Sequence, residues 1–108
     1  MDREKERALA GNETVQRAVN EAIERGRWPG EEERAPYRCE CAQRGCTEMV
    51  ELTREQYEEM RTHPRRFAVK PGHENLEVED VVLRGQGFLL VDKRGEAGRV
   101  SAASDPRS

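Results

Sequence analysis

The stretch of sequence that decides the fold is YRCECAQRGC, residues 37–46, which holds all three cysteines of the chain. In an extended strand Cys39 and Cys41 stand at i and i+2, so their side chains point to one face with Cα atoms about 6.5–7 Å apart. Gly45 tolerates a positive φ, so the chain can turn back there and bring Cys46 to the same point. Three thiolates repel one another unless a cation neutralises them, as tetrahedral Zn²⁺ does. The stretch therefore predicts a zinc site.

A tetrahedral site needs a fourth ligand, and the two histidines of the chain are the candidates. His73 follows a Pro-Gly turn signal at residues 71–72, a rigid corner that can hold an imidazole at a fixed distance. His63 closes a predicted helix, where the helix dipole favours such a side chain anyway. His63, a water molecule or a carboxylate such as Glu74 remain alternatives to His73. The predicted metal ligands are Cys39, Cys41, Cys46 and His73.

The composition explains why a domain of this size needs such a site. Only 34% of the 108 residues are hydrophobic and 38% are charged, so the apolar core must be small. A lean core often needs a disulfide, a metal or oligomerisation, and an odd number of cysteines argues against a closed disulfide framework. The charged residues 1–7 lead into no apolar run typical of a secretory signal, and no stretch is long enough to span a bilayer. We therefore expect a cytoplasmic protein with reduced thiols.

Periodicity divides the chain into four predicted regions. Residues 1–26 are predicted as an N-terminal amphipathic helix, because apolar side chains recur at i, i+3, i+4, i+7 and i+8. This apolar stripe consists of Val15, Ala18, Val19, Ala22 and Ile23. Its side chains are small, so we expect loose docking on the domain or pairing with the helix of another copy. Residues 27–36 are predicted as a linker, 37–94 as a metal-binding α+β domain, and 95–108 as a flexible tail.

Local signals inside residues 37–94 predict a small antiparallel sheet with one short helix. Thr53 and Gln56 form a capping-box pattern, and Pro64 ends the helix that follows. Strands are predicted over residues 66–69, 81–83 and 88–91, the last two joined as a β-hairpin by a glycine-containing turn. The predicted fold class is therefore α+β, with a zinc-stabilised antiparallel sheet preceded by an amphipathic helix.

The charge pattern and the lack of catalytic motifs narrow the function. The net charge of −3 offers nucleic acid no basic footprint, and a local basic group is expected to be a solvated helix end and strand edge. This basic group consists of Arg61, Arg65, Arg66 and Lys70. No catalytic residue is predicted, because no motif of a known hydrolytic, phosphoryl-transfer or dinucleotide site is present. An enzyme would need an open metal position with a carboxylate such as Glu48 or Glu74 as the base.

A longer string of residues also resembles a family of short, functionally uncharacterised bacterial proteins that share a C-x-C-x4-C…PGHE arrangement. The string consists of residues 37–41, 46–48, 52–53, 57, 63–67, 71–74 and 91–93. The resemblance covers roughly residues 13–93. It implies that Cys39, Cys41, Cys46 and His73 belong to one site, and it implies no particular activity.

Two functions follow from these observations. The first is a non-catalytic interaction or regulatory module built on a structural Cys3His zinc site, because a closed zinc site contributes folding free energy and activates no water. We expect its partner to be another protein rather than nucleic acid or a membrane, with a homo-oligomer through the N-terminal helix as a further option. The alternative is a thiol-based redox or metal sensor that releases zinc on oxidation, since Arg38 and Arg44 favour the reactive thiolate form.

Overall fold

Two small antiparallel sheets and three helices form the part of the chain that the computed structural model describes, which is residues 15–26, 34–41, 43, 45–103, 105 and 107. The predicted α+β class is confirmed. In chain order the elements are α1 (residues 15–25), β1 (Ala35–Arg38), β2 (Met49–Leu52), α2 (Arg54–Arg61), β3 (Arg66–Val69), β4 (Glu79–Arg84), β5 (Leu89–Lys93) and α3 (Gly95–Ala103). No helix in these ranges is both long and apolar enough to cross a membrane.

The sequence predicted the hairpin of β4 and β5 but not the pairing of β3 with β5. The strand expected to contain Cys39 and Cys41 ends before them, because β1 spans Ala35–Arg38. β1 and β2 form one sheet, with Tyr37 opposite Val50, and β5 lies between β3 and β4 in the other. The predicted hairpin is confirmed, because β4 and β5 pair antiparallel and the Gly85 N–H donates to the Phe88 carbonyl at 2.9 Å. A bulge at Val82 interrupts the β4–β5 register.

Alternation along β5 places the core on both faces of the three-stranded sheet. Leu90 packs with the side chains of β1, β2 and α2, while Leu89 and Val91 pack on the opposite face with Cys39 and Cys41. A strand covered on both faces is expected to have consecutive apolar residues in the sequence, as residues 88–91 do. The cysteines thus belong to the second core cluster.

The capping box of α2 is confirmed. The Thr53 hydroxyl accepts the Gln56 N–H at 3.0 Å, and the Gln56 side chain accepts the Thr53 N–H at 2.8 Å. Tyr57 and Met60 are fully buried on the inner face, and Tyr57 stacks on Tyr37 with ring centroids 4.5 Å apart. α2 therefore joins the two-stranded sheet to the rest of the core.

The chain after β5 differs from the sequence prediction. A flexible tail was predicted from Gly95, but Gly95–Ala103 form helix α3. Small side chains allow this helix to lie close to β5: Ala97 is fully buried, and a Cβ on Gly98 would lie 2.7 Å from the Lys93 carbonyl. The composition that suggested disorder is what permits close packing. β1 begins at Ala35, inside the predicted linker of residues 27–36, and residues 27–33 of that linker lie outside the described residues.

Helix α1 docks with the opposite face from the predicted one. Val15 is 62% exposed and Val19 40%, Ala18 and Ala22 are exposed, and of the apolar stripe only Ile23 packs against the core. The buried face is polar and has the same helical spacing; it consists of Arg17, Asn20, Glu21 and Glu24. Docking of the stripe on the domain is therefore wrong except at Ile23, because each polar side chain finds a partner on the domain. Pairing of the stripe with another copy stays a prediction, and residues 1–14 of the predicted helix lie outside the described residues.

Candidate metal centre

Four side chains converge on one point beside the second core cluster. Cys39, Cys41, Cys46 and His73 each offer one ligand atom, and these atoms all lie within 4.8 Å of one another. His73 Nδ1 lies 3.7 Å from Cys39 Sγ and 3.5 Å from Cys46 Sγ. A tetrahedral zinc with its usual Zn–S and Zn–N bond lengths requires S···N separations of about 3.6 Å. The group is therefore close enough to bind a metal ion.

The tripeptide that carries the first two cysteines bridges the two sheets. The Cys39 N–H extends the β1–β2 ladder by donating to the Glu48 carbonyl at 3.0 Å, and the Glu40 N–H then donates to the Ala68 carbonyl of β3 at 2.8 Å. Because the segment is extended, the two sulfurs share a face and the Glu40 side chain points away from them. The sequence prediction for the first two thiols rested on this alternation.

The other two ligands each follow a glycine in a tight turn. Gly45 has φ +74°, and the Cys46 N–H donates to the Gln43 carbonyl at 3.3 Å. Gly72 has φ +96°, and the His73 N–H donates to the Lys70 carbonyl at 2.9 Å. Only glycine adopts such φ values without strain, and a proline before the second glycine presets the turn. Both turns thus deliver a ligand at their last position.

Two backbone N–H groups near the centre donate to side chains, one to Glu74 and one to the ligand Cys39. Glu74, an alternative fourth ligand in the sequence, instead accepts the Gly72 N–H at 2.7 Å and so stabilises the turn that presents His73. The Lys70 N–H donates to Cys39 Sγ at 3.2 Å. Groups that hydrogen-bond to ligands in this way orient them and support the charged form of sulfur.

The thiols of the centre are electrostatically coupled. A hydrogen bond from Cys39, with further ones from His73 and Cys46, lowers the pKa of Cys41 to about 4. The same Cys39–Cys41 hydrogen bond and burial raise the pKa of Cys39 far above its ordinary value, and burial raises the pKa of Cys46. One thiolate is therefore held beside two thiols that resist ionisation, and a bound dication would allow all three to ionise.

Several residues singled out in the sequence lie away from the centre. His63 is 46% exposed and its Nε2 lies 3.9 Å from a Glu59 carboxylate oxygen, so it does not join the group. The Glu48 side chain is exposed. Arg38 donates to the Cys46 carbonyl at 3.0 Å, whereas Arg44 lies outside the described residues.

The basic group is not a uniformly solvated surface. Arg61 was predicted as part of a solvated helix end, but it is 3% exposed and pairs with the Glu21 and Asp105 carboxylates. Arg66 is partly buried and forms a bidentate pair with Asp92. These guanidiniums neutralise carboxylates of the same chain, which leaves less free positive charge than the sequence suggested.

Glu40 is a residue of the site region that the sequence prediction missed. It is fully buried, and its carboxylate accepts the Asn20 amide N–H and the Ala68 backbone N–H, both at 2.9 Å. Burial nevertheless raises the pKa of Glu40 above its usual value. Its position between two cysteines of an extended strand was the available signal, because alternation directs it to the side opposite the metal.

Asn20 and Arg17 fasten α1 behind the cysteine tripeptide. The Asn20 side chain accepts the Arg38 N–H at 2.6 Å and donates to the Arg38 carbonyl at 2.9 Å, as a neighbouring strand would. The Arg17 guanidinium lies 3.8 Å from the centroid of Phe67 and donates to the Arg66 carbonyl at 3.0 Å. The polar face of α1 is therefore bound to the segments that carry the metal ligands.

No protein-family model, curated protein or solved structure matches the chain. The resemblance to a family of short bacterial proteins stays a prediction. Functional proposals for this protein must therefore come from the chemistry of the centre and from the surfaces around it.

Proposed function

We propose that the protein is a zinc-binding domain in which Cys39, Cys41, Cys46 and His73 hold one structural ion. The convergence of these four donors within 4.8 Å carries the proposal. Thiolate and imidazole ligands favour zinc over magnesium or calcium, which take oxygen ligands. Three sulfurs and one nitrogen fill a tetrahedral site, and a filled site is structural because no position is open for a reacting water.

The location of the centre supports a structural role. Its ligands come from the tripeptide that bridges the sheets and from two turns, one before β2 and one after β3. An ion held there would tie together segments that are distant in sequence and stabilise the folded state, because the site does not exist in the unfolded chain. Such a contribution suits a chain of which 34% is hydrophobic.

We propose further that this zinc domain is a non-catalytic interaction or regulatory module whose partner is another protein. Two apolar surfaces support the proposal. One is the outward stripe of α1, where Val15 and Val19 are exposed, and the other is β4, where Val82 is 43% and Leu83 49% exposed. Within the described residues β4 pairs only with β5, so its second edge is open to strand addition.

Elemental analysis of the reduced protein tests the metal proposal. The expected result is one zinc per chain in the wild type and a loss of zinc in Cys39→Ser, Cys41→Ser, Cys46→Ser and His73→Ala. His63→Ala is the matched control, because His63 is the other histidine and lies away from the centre. Substoichiometric zinc in the wild type, or full retention in the His73 variant, would contradict the proposed ligand set.

A thiol-based redox or metal sensor is the second candidate, and the exposure of one ligand favours it. His73 is only half-buried, whereas Cys39 and Cys41 are buried, so an oxidant can reach the centre from the side of the imidazole. Peroxide would oxidise two thiolates to a disulfide, with two protons taken up and two waters released, and the ion would leave. A zinc-release dye separates the candidates: release that a thiol reductant reverses supports the sensor, and retention supports the structural site.

A further inference from the structure

The residue between the first two cysteines joins the metal centre to helix α1. The sulfurs of Cys39 and Cys41 lie on one side of the extended tripeptide and the Glu40 carboxylate on the other. On that second side the carboxylate accepts a hydrogen bond from Asn20 of α1. The Asn20 side chain also hydrogen-bonds to both the N–H and the carbonyl of Arg38. The tripeptide therefore has a metal-binding face and a helix-binding face one residue apart.

We infer that metal occupancy of the centre and docking of α1 are linked through Glu40 and Asn20, so that loss of the ion loosens α1. The inference rests on the proposed zinc site and specifies how that site is regulated. Asn20 and Glu40 are positioning residues, because neither supplies a ligand atom to the centre. They act by fixing the path of the backbone on which two ligands are mounted.

Docking of α1 depends on the backbone path of the cysteine tripeptide, because few apolar contacts hold the helix. Its outward face is the apolar stripe, so burial of large apolar side chains contributes little beyond Ile23. The remaining described attachments are hydrogen bonds, ion pairs and the contact of the Arg17 guanidinium with the Phe67 ring, all of which contribute little net stability unless their geometry is kept. A shift of the tripeptide by about 1 Å would break the 2.9 Å bond between Asn20 and Glu40, because hydrogen bonds weaken steeply beyond their normal length.

Removal of the ion supplies a reason for such a shift. Without a cation, nothing joins the four donor atoms that lie within 4.8 Å of one another, so the tripeptide and the two ligand turns are no longer held at this separation. In the opposite direction, departure of α1 takes the Asn20 donor away from a fully buried carboxylate. Glu40 would then keep only the Ala68 N–H as a described partner, and a buried polar group that loses a hydrogen bond is destabilised, so Glu40 would turn towards water and pull both cysteines with it.

Thermodynamic linkage requires that the effect of the ion on docking of α1 equals the effect of docked α1 on ion binding. If the ion strengthens docking of α1 by some factor, then docked α1 strengthens ion binding by the same factor. Residues that support metal ligands without touching the metal typically change metal affinity about 10- to 100-fold when removed. We therefore expect Asn20→Ala to weaken zinc binding at least about 10-fold although all four ligands are intact.

The test uses the full chain and two measurements. Zinc affinity is measured by chelator competition for the wild type, Asn20→Ala and the control Arg25→Gln, which alters an exposed side chain on the same helix. Hydrogen exchange of residues 15–26 and of the β4–β5 hairpin is compared in the wild type with zinc and after chelation. The expected results are weaker binding in Asn20→Ala alone, and a loss of protection that is larger in residues 15–26 than in the hairpin.

The outcomes are distinct. Equal zinc affinity in Asn20→Ala and wild type would overturn the linkage, as would unchanged exchange of residues 15–26 on chelation. Should chelation unfold the whole chain, both segments lose protection together, and the affinity of the Asn20 variant decides alone. Absence of zinc from the wild type would instead overturn the proposed function on which the linkage rests.

Discussion

Glycine substitutions in the tight turns offer a measure of how strongly the backbone prepares the centre. Gly72 and Gly87 have φ values of +96° and +81°, and at both positions a Cβ would meet nothing within 4 Å. An alanine there brings no steric clash, so its cost is the backbone strain of a left-handed conformation, about 1–2 kcal/mol. The Gly72 turn presents His73, whereas the Gly87 turn only joins β4 to β5.

We predict that Gly72→Ala weakens zinc binding by about 5- to 30-fold, the ratio that corresponds to about 1–2 kcal/mol. The reason is that the strained turn relaxes in the metal-free protein and must be restored when His73 binds the ion. Gly87→Ala is the matched control: it should lower the free energy of unfolding of the zinc-loaded protein by about the same 1–2 kcal/mol but leave zinc affinity unchanged. Chelator competition gives the affinities and urea unfolding the stabilities. An equal loss of affinity in both variants would refute the local argument, because it would mean that zinc binding is coupled to folding of the whole chain.

Three further predictions concern packing and charge. Gly98→Ala should destabilise the protein by about 1–3 kcal/mol in urea unfolding, because its Cβ would lie 2.7 Å from a backbone carbonyl of β5, while Gly26→Ala, with only ordinary contacts at 3.5 Å or more, should have little effect. Burial alone would raise the pKa of Glu21, but hydrogen bonds from two arginines outweigh it and hold that pKa below its usual value. The unfolded chain therefore binds more protons in acid, so stability present above the unfolded pKa of about 4.3 is lost as pH falls through the lower folded pKa. Urea midpoints between pH 7 and pH 3 should show this loss in the wild type and a smaller one in Glu21→Gln. Lys93→Met should cost about 3–5 kcal/mol by leaving the buried Glu79 carboxylate without its ion-pair partner, and thermal melts of the Lys93→Met/Glu79→Leu double variant should recover most of that loss.

The features that the sequence predicted correctly are those with local causes. The capping box at Thr53 involves two residues three positions apart, and the hairpin of β4 and β5 follows from a short glycine turn between apolar runs. The approach of Cys39 and Cys41 follows in the same way from alternation in a strand. His73 was harder because it comes from a distant turn, and the guides to it were the Pro-Gly signal before it and the resemblance to the short bacterial proteins.

The features that the sequence did not reveal depend on distant partners. Glu40 meets a residue 20 positions away, and Arg17 donates to the carbonyl of Ser101, 84 positions away. Helical periodicity identified the two faces of α1 but assumed that the apolar face is the buried one. Nothing local indicates that the domain offers hydrogen-bond partners to the polar face. For α3, the glycine and alanine content suggested disorder. These small residues instead let the helix backbone lie close to β5, and that contact exists only in the folded chain, so the sequence does not show it.

The bridging of the two sheets by the cysteine tripeptide also has a mechanical consequence. Its first residue is hydrogen-bonded to Glu48, just before β2, and its second to β3, so any hinge motion of one sheet against the other must bend this tripeptide. An ion bound by both of its cysteines would stiffen the tripeptide along its length. In a pulling experiment with handles on β1 and β5, the sheets of the zinc-loaded chain should part in one abrupt event at higher force, and those of the chelated chain gradually.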